Sequence, residues 1–139
     1  MANTLGAQMT RLDAGTPPDP GFVDGGVKVF NEKITLAAQA IGDTIEVARL
    51  PKGAVPLFGM MISDTALGAA ATVAIGVSGS TGKYRAAALF NAGNTWEQFG
   101  LAAAAGEALA AEETVFVTVG GAALPAAGTL RVMFFYSFN

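Results

Sequence analysis

The stretch GVSGSTGKY at residues 76–84 comes closer to a chemical motif than any other part of the chain. The phosphate-binding loop of nucleotide-binding enzymes has the pattern G-x-x-x-x-G-K-[ST], on a turn between a strand and a helix. Gly82 and Lys83 fit this pattern, but Val77 stands where the first glycine is needed. Tyr84 replaces the small hydroxyl side chain that would hold magnesium. We therefore interpret the stretch as a plain hairpin loop.

The composition removes most other catalytic chemistry. The chain has no cysteine and no histidine, which excludes disulfides, thiolate metal sites, Ser-His-Asp catalysis and histidine-bound metals. Its 11 acidic residues would offer carboxylate pairs in any fold, and none has the D-x-D-x-D-G spacing of a calcium loop. We predict no enzyme, no cofactor and no bound metal.

Charged residues are scarce and apolar residues abundant. Charged side chains make up 14 % of the chain, against about 25 % in an average soluble domain. Hydrophobic residues make up 52 %, so we expect part of the surface to be buried against other chains, with alanine as neutral filler the alternative. The basic residues are scattered singly, as solvated charges or interface anchors such as Arg85, and they do not form the cluster that nucleic-acid binding requires.

No stretch predicts targeting or a membrane span. The first residues lack the basic flank and the apolar segment of a secretion signal. The apolar runs at 101–113 and 132–138 are too short to cross a bilayer. We expect a soluble protein that is made in the cytoplasm without export and has no membrane partner.

The elements that would position these side chains are predicted to be short strands. Residues 1–26 contain Pro17, Pro18 and Pro20 and lack sustained periodicity, which predicts an extended N-terminal arm without helix. From residue 27 onward, apolar residues alternate with polar ones, and turn signals recur about every eight to twelve residues. The predicted fold class is therefore all-β, an antiparallel β-sandwich of jelly-roll type over residues 27–139.

The individual strands are predicted from local patterns. TIEVARL (44–50) alternates between apolar and polar residues, whereas AVPLFGMMIS (54–63) is typical of a strand buried on both faces, with Gly59 a candidate bulge. ETVFVTVGG (113–121) and TLRVMFFYSF (129–138) flank a Pro/Gly loop and predict a terminal antiparallel hairpin.

Candidate partner contacts lie in two places. Apolar residues recur in the arm at intervals that suit a segment docked on a neighbouring surface, with a free, disordered arm as the alternative. Trp96 and Phe99, near Tyr84 and Phe90 in sequence, predict either an aromatic platform for a sugar ring or partner chain, or packing in the core. The candidate contact residues are Leu5, Met9, Leu12, Phe22, Trp96 and Phe99.

Three stretches resemble small virion proteins of tailed bacteriophages. They are ARLPKGA (48–54), FGMMISDTALGAAATVAIGV (58–77) and TVFVTVGGAALPAAGTLRVMFFYS (114–137). In those chains a strand ends in a Pro/Lys/Gly turn, a strand–D-x-x-L-G–strand hairpin follows, and a G-T-L-R-V strand closes the chain. The resemblance spans residues 44–139 and includes no catalytic residues.

The resemblance implies a capsid decoration protein, also called a cement or auxiliary head protein. Such a protein would lie on the outer capsid surface, bridge neighbouring major capsid subunits and stabilise the shell. It would also form a homo-oligomer, with a trimer favoured. Two alternatives stay open: a carbohydrate- or receptor-binding module of the virion that uses the Trp96 region, and a structural protein of the neck or tail.

Overall fold

The structure is a computed structural model that describes residues 4–5, 7–17 and 26–138. In this part of the chain one short helix, α1 (Ala7–Asp13), precedes eight strands. The strands are β1 (Gly26–Thr35), β2 (Thr44–Leu50), β3 (Val55–Ser63), β4 (Thr72–Val77), β5 (Ser80–Leu89), β6 (Glu97–Phe99), β7 (Glu113–Gly120) and β8 (Thr129–Phe138).

The strands form two antiparallel sheets that pack as a sandwich. One sheet has the order β1-β8-β3-β6 and the other the order β2-β7-β4-β5. Alternate side chains of both sheets point inward and are removed from water, which supplies the main driving force for folding. The predicted all-β sandwich is confirmed. Its core includes Leu50, Met61, Val73, Ile75, Val115, Val117, Leu130, Val132 and Phe134.

The predicted terminal hairpin is wrong, because β7 and β8 lie in different sheets. Both strands bury every second side chain, a pattern that suits strands facing each other across a core as well as strands paired side by side. The connection between them is anchored by Leu124, which is buried and donates its N–H to the Gln39 carbonyl at 3.0 Å. The D-x-x-L-G segment at residues 64–68 is likewise a crossing between sheets, and not a hairpin turn.

Gly59 in β3 makes room for an aromatic ring and is not the predicted bulge. The register of β3 against β8 shifts between Pro56 and Phe58, where proline has no N–H to donate to a ladder. A Cβ atom on Gly59 would lie 2.0 Å from Cζ of Phe99. The glycine therefore lets the Phe99 ring enter the core, where its centroid lies 6.3 Å from that of Phe134.

Residues 7–13 are helical, so the expectation of an arm without helix is wrong for this part. The prolines that motivated it follow the helix, which ends at a glycine cap. Gly15 has a φ of 75°, and the Thr16 N–H donates to the Arg11 carbonyl at 2.8 Å, as in a Schellman motif. Residues 18–25 of the predicted arm lie outside the described residues. The division into an arm (1–26) and a sandwich stays a prediction.

Candidate interaction surface

The outer surface of the sheet β1-β8-β3-β6 is largely apolar. Because side chains alternate along a strand, the neighbours of the buried Phe134 point away from the core. The register brings outward side chains of three adjacent strands together, with Val29 opposite Phe135 and Met60 opposite Met133. We call this surface the apolar face. It consists of Val27, Val29, Phe58, Met60, Ile62, Met133 and Phe135.

The side chains of the apolar face are exposed or half-buried in the single chain. Val27 is 65 % exposed. The rings of Phe58 and Phe135 stack with centroids 4.9 Å apart, which makes the middle of the face flat and aromatic. At one end, Arg131 donates a hydrogen bond to the Asn31 amide oxygen at 2.7 Å and gives the face a polar border. Contiguous exposed apolar surface with a polar rim is typical of protein–protein contacts.

The outer surface of the other sheet has a different character. Outward positions of its two central strands hold Thr72, Thr114 and Thr118, which are half-buried, and Ala74, which is buried. Phe116 lies among them and is half-buried. Small and hydroxyl-bearing side chains cost less to leave in water than a contiguous row of Met, Phe and Ile. Burial against another protein would therefore release more free energy at the apolar face than at the outer surface of the sheet β2-β7-β4-β5.

Among the predicted contact residues of the N-terminal segment, three are exposed. Leu5, Met9 and Leu12 lie just before and within α1 and present large apolar side chains to water. Phe22 lies outside the described residues. Their use as partner contacts stays a prediction.

The predicted aromatic platform does not form. Trp96 is 49 % exposed, but Phe99 is only 5 % exposed, and Tyr84 and Phe90 are also buried. The Tyr84 ring packs edge-on against Phe134, with centroids 4.8 Å apart. Phe99 thus packs in the core, which was the second outcome predicted for it, and the use of Trp96 and Phe99 as partner contacts stays a prediction.

The apolar face itself escaped the sequence interpretation, although a signal was present. In the segments 58–63 and 132–138, apolar residues occupy both inward and outward positions. This pattern was interpreted, for β3, as burial on both faces within the protein. The structure shows that only one face of each strand is covered by the second sheet.

The stretch 76–84 is a β-hairpin, as predicted. A two-residue turn joins β4 to β5, and Lys83 lies within β5, not at the start of a helix. Lys83 forms an ion pair with Glu113 of β7, and the Tyr84 hydroxyl donates a hydrogen bond to the other oxygen of that carboxylate at 2.6 Å. Burial, together with this carboxylate, raises the pKa of Tyr84, so the hydroxyl stays protonated as a donor. The side chains that resembled a nucleotide site thus connect β5 to β7.

Two further findings apply to the part of the chain that the structure describes. No group of three or more acidic side chains there lies close enough together to hold a metal ion. Nor is any of its helical structure long and apolar enough to cross a membrane.

Chains of solved phage capsids have a similar fold. A chain of the cyanophage Pam1 capsid asymmetric unit is 25 % identical, with a TM-score of 0.70 and 100 % of both chains covered. A chain from the capsid of Ralstonia phage GP4 is also 25 % identical, with a TM-score of 0.63 over 84 % of this chain and 86 % of that one. A chain of the acid-stable capsid of Helicobacter pylori bacteriophage KHP30 is 10 % identical, with a TM-score of 0.51 over 81 % and 87 %, and shows the fold alone. No family model and no curated protein matches the chain.

These similarities define the class of protein to which the sandwich corresponds. The chain is a structural protein of the virion, related to phage capsid proteins. Within that class, the similarity indicates a component that assembles with other capsid subunits and has a structural role.

Proposed function

We propose that the protein is a capsid decoration protein, which binds the outer surface of a phage capsid through its apolar face. Its partner is the major capsid protein, and each copy bridges neighbouring subunits. The observation that supports this role is the apolar face, exposed on one side of a sandwich whose fold also occurs in phage capsids. The hydroxyl-rich side would then face the solvent around the virion.

Burial of the apolar face supplies the binding free energy in this proposal. An apolar contact of roughly 400 Å² would contribute about 10 kcal/mol at ~25 cal/mol per Å². Lost translational and rotational freedom offsets a large part of this gain. A shell repeats the same junction between capsid subunits many times. Rupture must first break the contacts that bridge these junctions, so even a modest net binding free energy at each one stabilises the shell.

The N-terminal segment would add a second contact. Met9 and Leu12 lie three residues apart within α1, which places their side chains on one side of the helix, and Leu5 precedes the helix. All three are exposed. In the proposal this row docks on an adjacent capsid subunit, and Phe22 contributes further along the arm.

The strand order supports the predicted jelly roll. Consecutive strands alternate between the two sheets except at the β4–β5 hairpin, which is the order that two interlocking Greek keys produce. The homo-oligomer stays a prediction, with a trimer as the number that the resemblance implies.

The first prediction concerns the apolar face. Met133→Glu should weaken binding to capsids at least about tenfold, because a carboxylate would be buried in the middle of an apolar contact. Met133 is half-buried on the outer side of a central strand, so the variant should still fold. Binding is measured by co-sedimentation with expanded capsids that lack the protein, together with circular dichroism of the free variant.

Thr118→Glu is the matched control. Thr118 is half-buried on the outer side of β7, a central strand of the other sheet. It should leave capsid binding unchanged. Equal binding by both variants and the wild type would show that the apolar face does not contact the capsid.

The same co-sedimentation experiment distinguishes the decoration protein from a structural protein of the neck or tail. A neck or tail protein would not co-sediment with capsids that lack those structures. The sugar-binding alternative has less support, because the aromatic side chains predicted to lie beside Trp96 on the surface are buried.

A further inference from the structure

The four edges of the two sheets differ in how well they are protected. β6 has three residues, β2 is interrupted by a bulge between Glu46 and Ala48, and β5 shifts register twice against β4. Short strands and bulges are common ways of preventing a sheet edge from pairing with another chain. β1 has neither, since it pairs with β8 over ten residues without any shift.

No strand of the described residues pairs with the free side of β1. The sheet ends at β1 in this part of the chain, and every residue of β1 except Ile34 is exposed or half-buried. Val27 and Val29 are exposed on the outer side, and Lys28 and Glu32 are exposed on the other. A long, regular edge strand of this kind is a template for a further strand.

We propose that β1 pairs antiparallel with β1 of a second copy of this chain, around a two-fold axis at Phe30. A two-fold axis perpendicular to the sheet keeps the inward side chains of both copies on the same face. An inward, even-numbered residue of one β1 must therefore lie opposite an even-numbered residue of the other. When Phe30 lies opposite Phe30, Lys28 of each copy lies opposite Glu32 of the other. Registers centred one residue away, on Val29 or Asn31, lose both charge pairs.

Charge complementarity therefore identifies the second copy as the occupant of this edge. Residues directly opposite in an antiparallel pair have Cβ atoms about 5 Å apart, close enough for opposite charges to attract and like charges to repel. The Phe30-centred register overlaps residues 26–34 and gives two such attractive pairs. In the same register Phe30, which is half-buried, lies beside its equivalent at the centre of the contact.

The arrangement has a geometric consequence. Pairing at β1 joins the two β1-β8-β3-β6 sheets into one sheet of eight strands. Because the two-fold axis is perpendicular to that sheet, the apolar faces of both copies lie on the same side and become continuous through Val27 and Val29. The dimer itself does not depend on the capsid role, and it is an alternative to the trimer that the resemblance favoured.

Charge reversal tests the register. The wild type should sediment near twice the 14.0 kDa chain mass in analytical ultracentrifugation, without any capsid present. Lys28→Glu alone, or Glu32→Lys alone, creates two like-charged pairs and should raise the dissociation constant at least about tenfold. The double variant Lys28→Glu with Glu32→Lys restores both pairs and should recover the wild-type constant. A wild-type monomer or trimer, or a double variant no better than the single ones, would overturn the proposal.

Disulfide formation gives a second test that does not depend on charge. The chain has no cysteine, so Phe30→Cys places one thiol in each copy, opposite its equivalent at a separation that a disulfide can span. Val27→Cys is the matched control, since six residues, about 20 Å, separate it from Val27 of the second copy. Mild oxidation should link the first variant and not the second. Equal linking of the two variants would contradict the register.

Discussion

Replacing Arg85 with alanine should lower the free energy of unfolding by about 3 kcal/mol, because it leaves one buried carbonyl and several part-buried polar groups without their partner. The side chain is only 6 % exposed, although sequence reasoning placed it among solvated charges or interface anchors. Its guanidinium donates to the carbonyls of Val73, Ala88 and Leu89. It also donates to both carboxylate oxygens of Glu97 at 3.1 Å.

The effect should be large because Arg85 connects the two sheets. Arg85 lies in β5 and Glu97 in β6, which belong to different sheets. Thermal unfolding followed by circular dichroism should show a midpoint lowered by roughly 10 °C. Arg85→Lys should recover little, since an ammonium cannot reproduce the planar set of donors.

Arg49→Ala is the control for the loss of an arginine. Arg49 pairs with Glu46 on the surface, and exposed pairs of this kind contribute little to stability. Its unfolding midpoint should equal that of the wild type. If Arg85→Ala were as stable as Arg49→Ala, the buried network would not stabilise the fold.

Gly76→Ala should also destabilise the protein by about 3 kcal/mol, the upper end of the usual range for overpacking. A Cβ atom at this position would lie 2.2 Å from the Ser80 carbonyl oxygen and 2.6 Å from the Thr81 carbonyl carbon. Both are backbone atoms of β5, so no side-chain rotation can relieve the clash. Gly76, one residue before the position of the first motif glycine, is needed because β5 approaches β4 closely there.

Gly93→Ala is the matched control for Gly76→Ala. The nearest atom to a Cβ there would be the Ala66 nitrogen at 3.5 Å, an ordinary van der Waals contact. Urea titration should show a lowered midpoint for Gly76→Ala alone. A normal midpoint for that variant would mean that β5 does not lie where the structure places it.

Strand positions could be predicted because they depend on local patterns. The segments 44–50 and 129–138 were predicted with the boundaries that β2 and β8 have in the structure. Their alternation, and the turn residues that bound them, are properties of a few neighbouring residues. The pairing of strands is not local, so the same pattern could not show that β7 and β8 face each other across the core.

The candidate site was harder to predict for a related reason. Whether a side chain is exposed depends on what covers it, and Phe99 is buried only because Gly59 in another strand leaves space for its ring. Met60 belongs to a segment predicted to be buried on both faces, yet the second sheet covers only one side of β3 and β8. The hairpin predicted for 129–138 likewise gave no indication that Met133 and Phe135 lie on an uncovered side. The short helix α1 was missed because the prolines after it were taken to rule out helix in the whole segment.

The most direct test of the proposed capsid role is the temperature at which DNA-filled capsids lacking this protein release their DNA. It would be measured with a fluorescent DNA dye, with and without added protein. Addition of the wild type should raise the release temperature by several degrees, and the rise should saturate when the binding sites are filled. Unchanged release at saturating concentrations, with no protein sedimenting with the capsids, would contradict a decoration role.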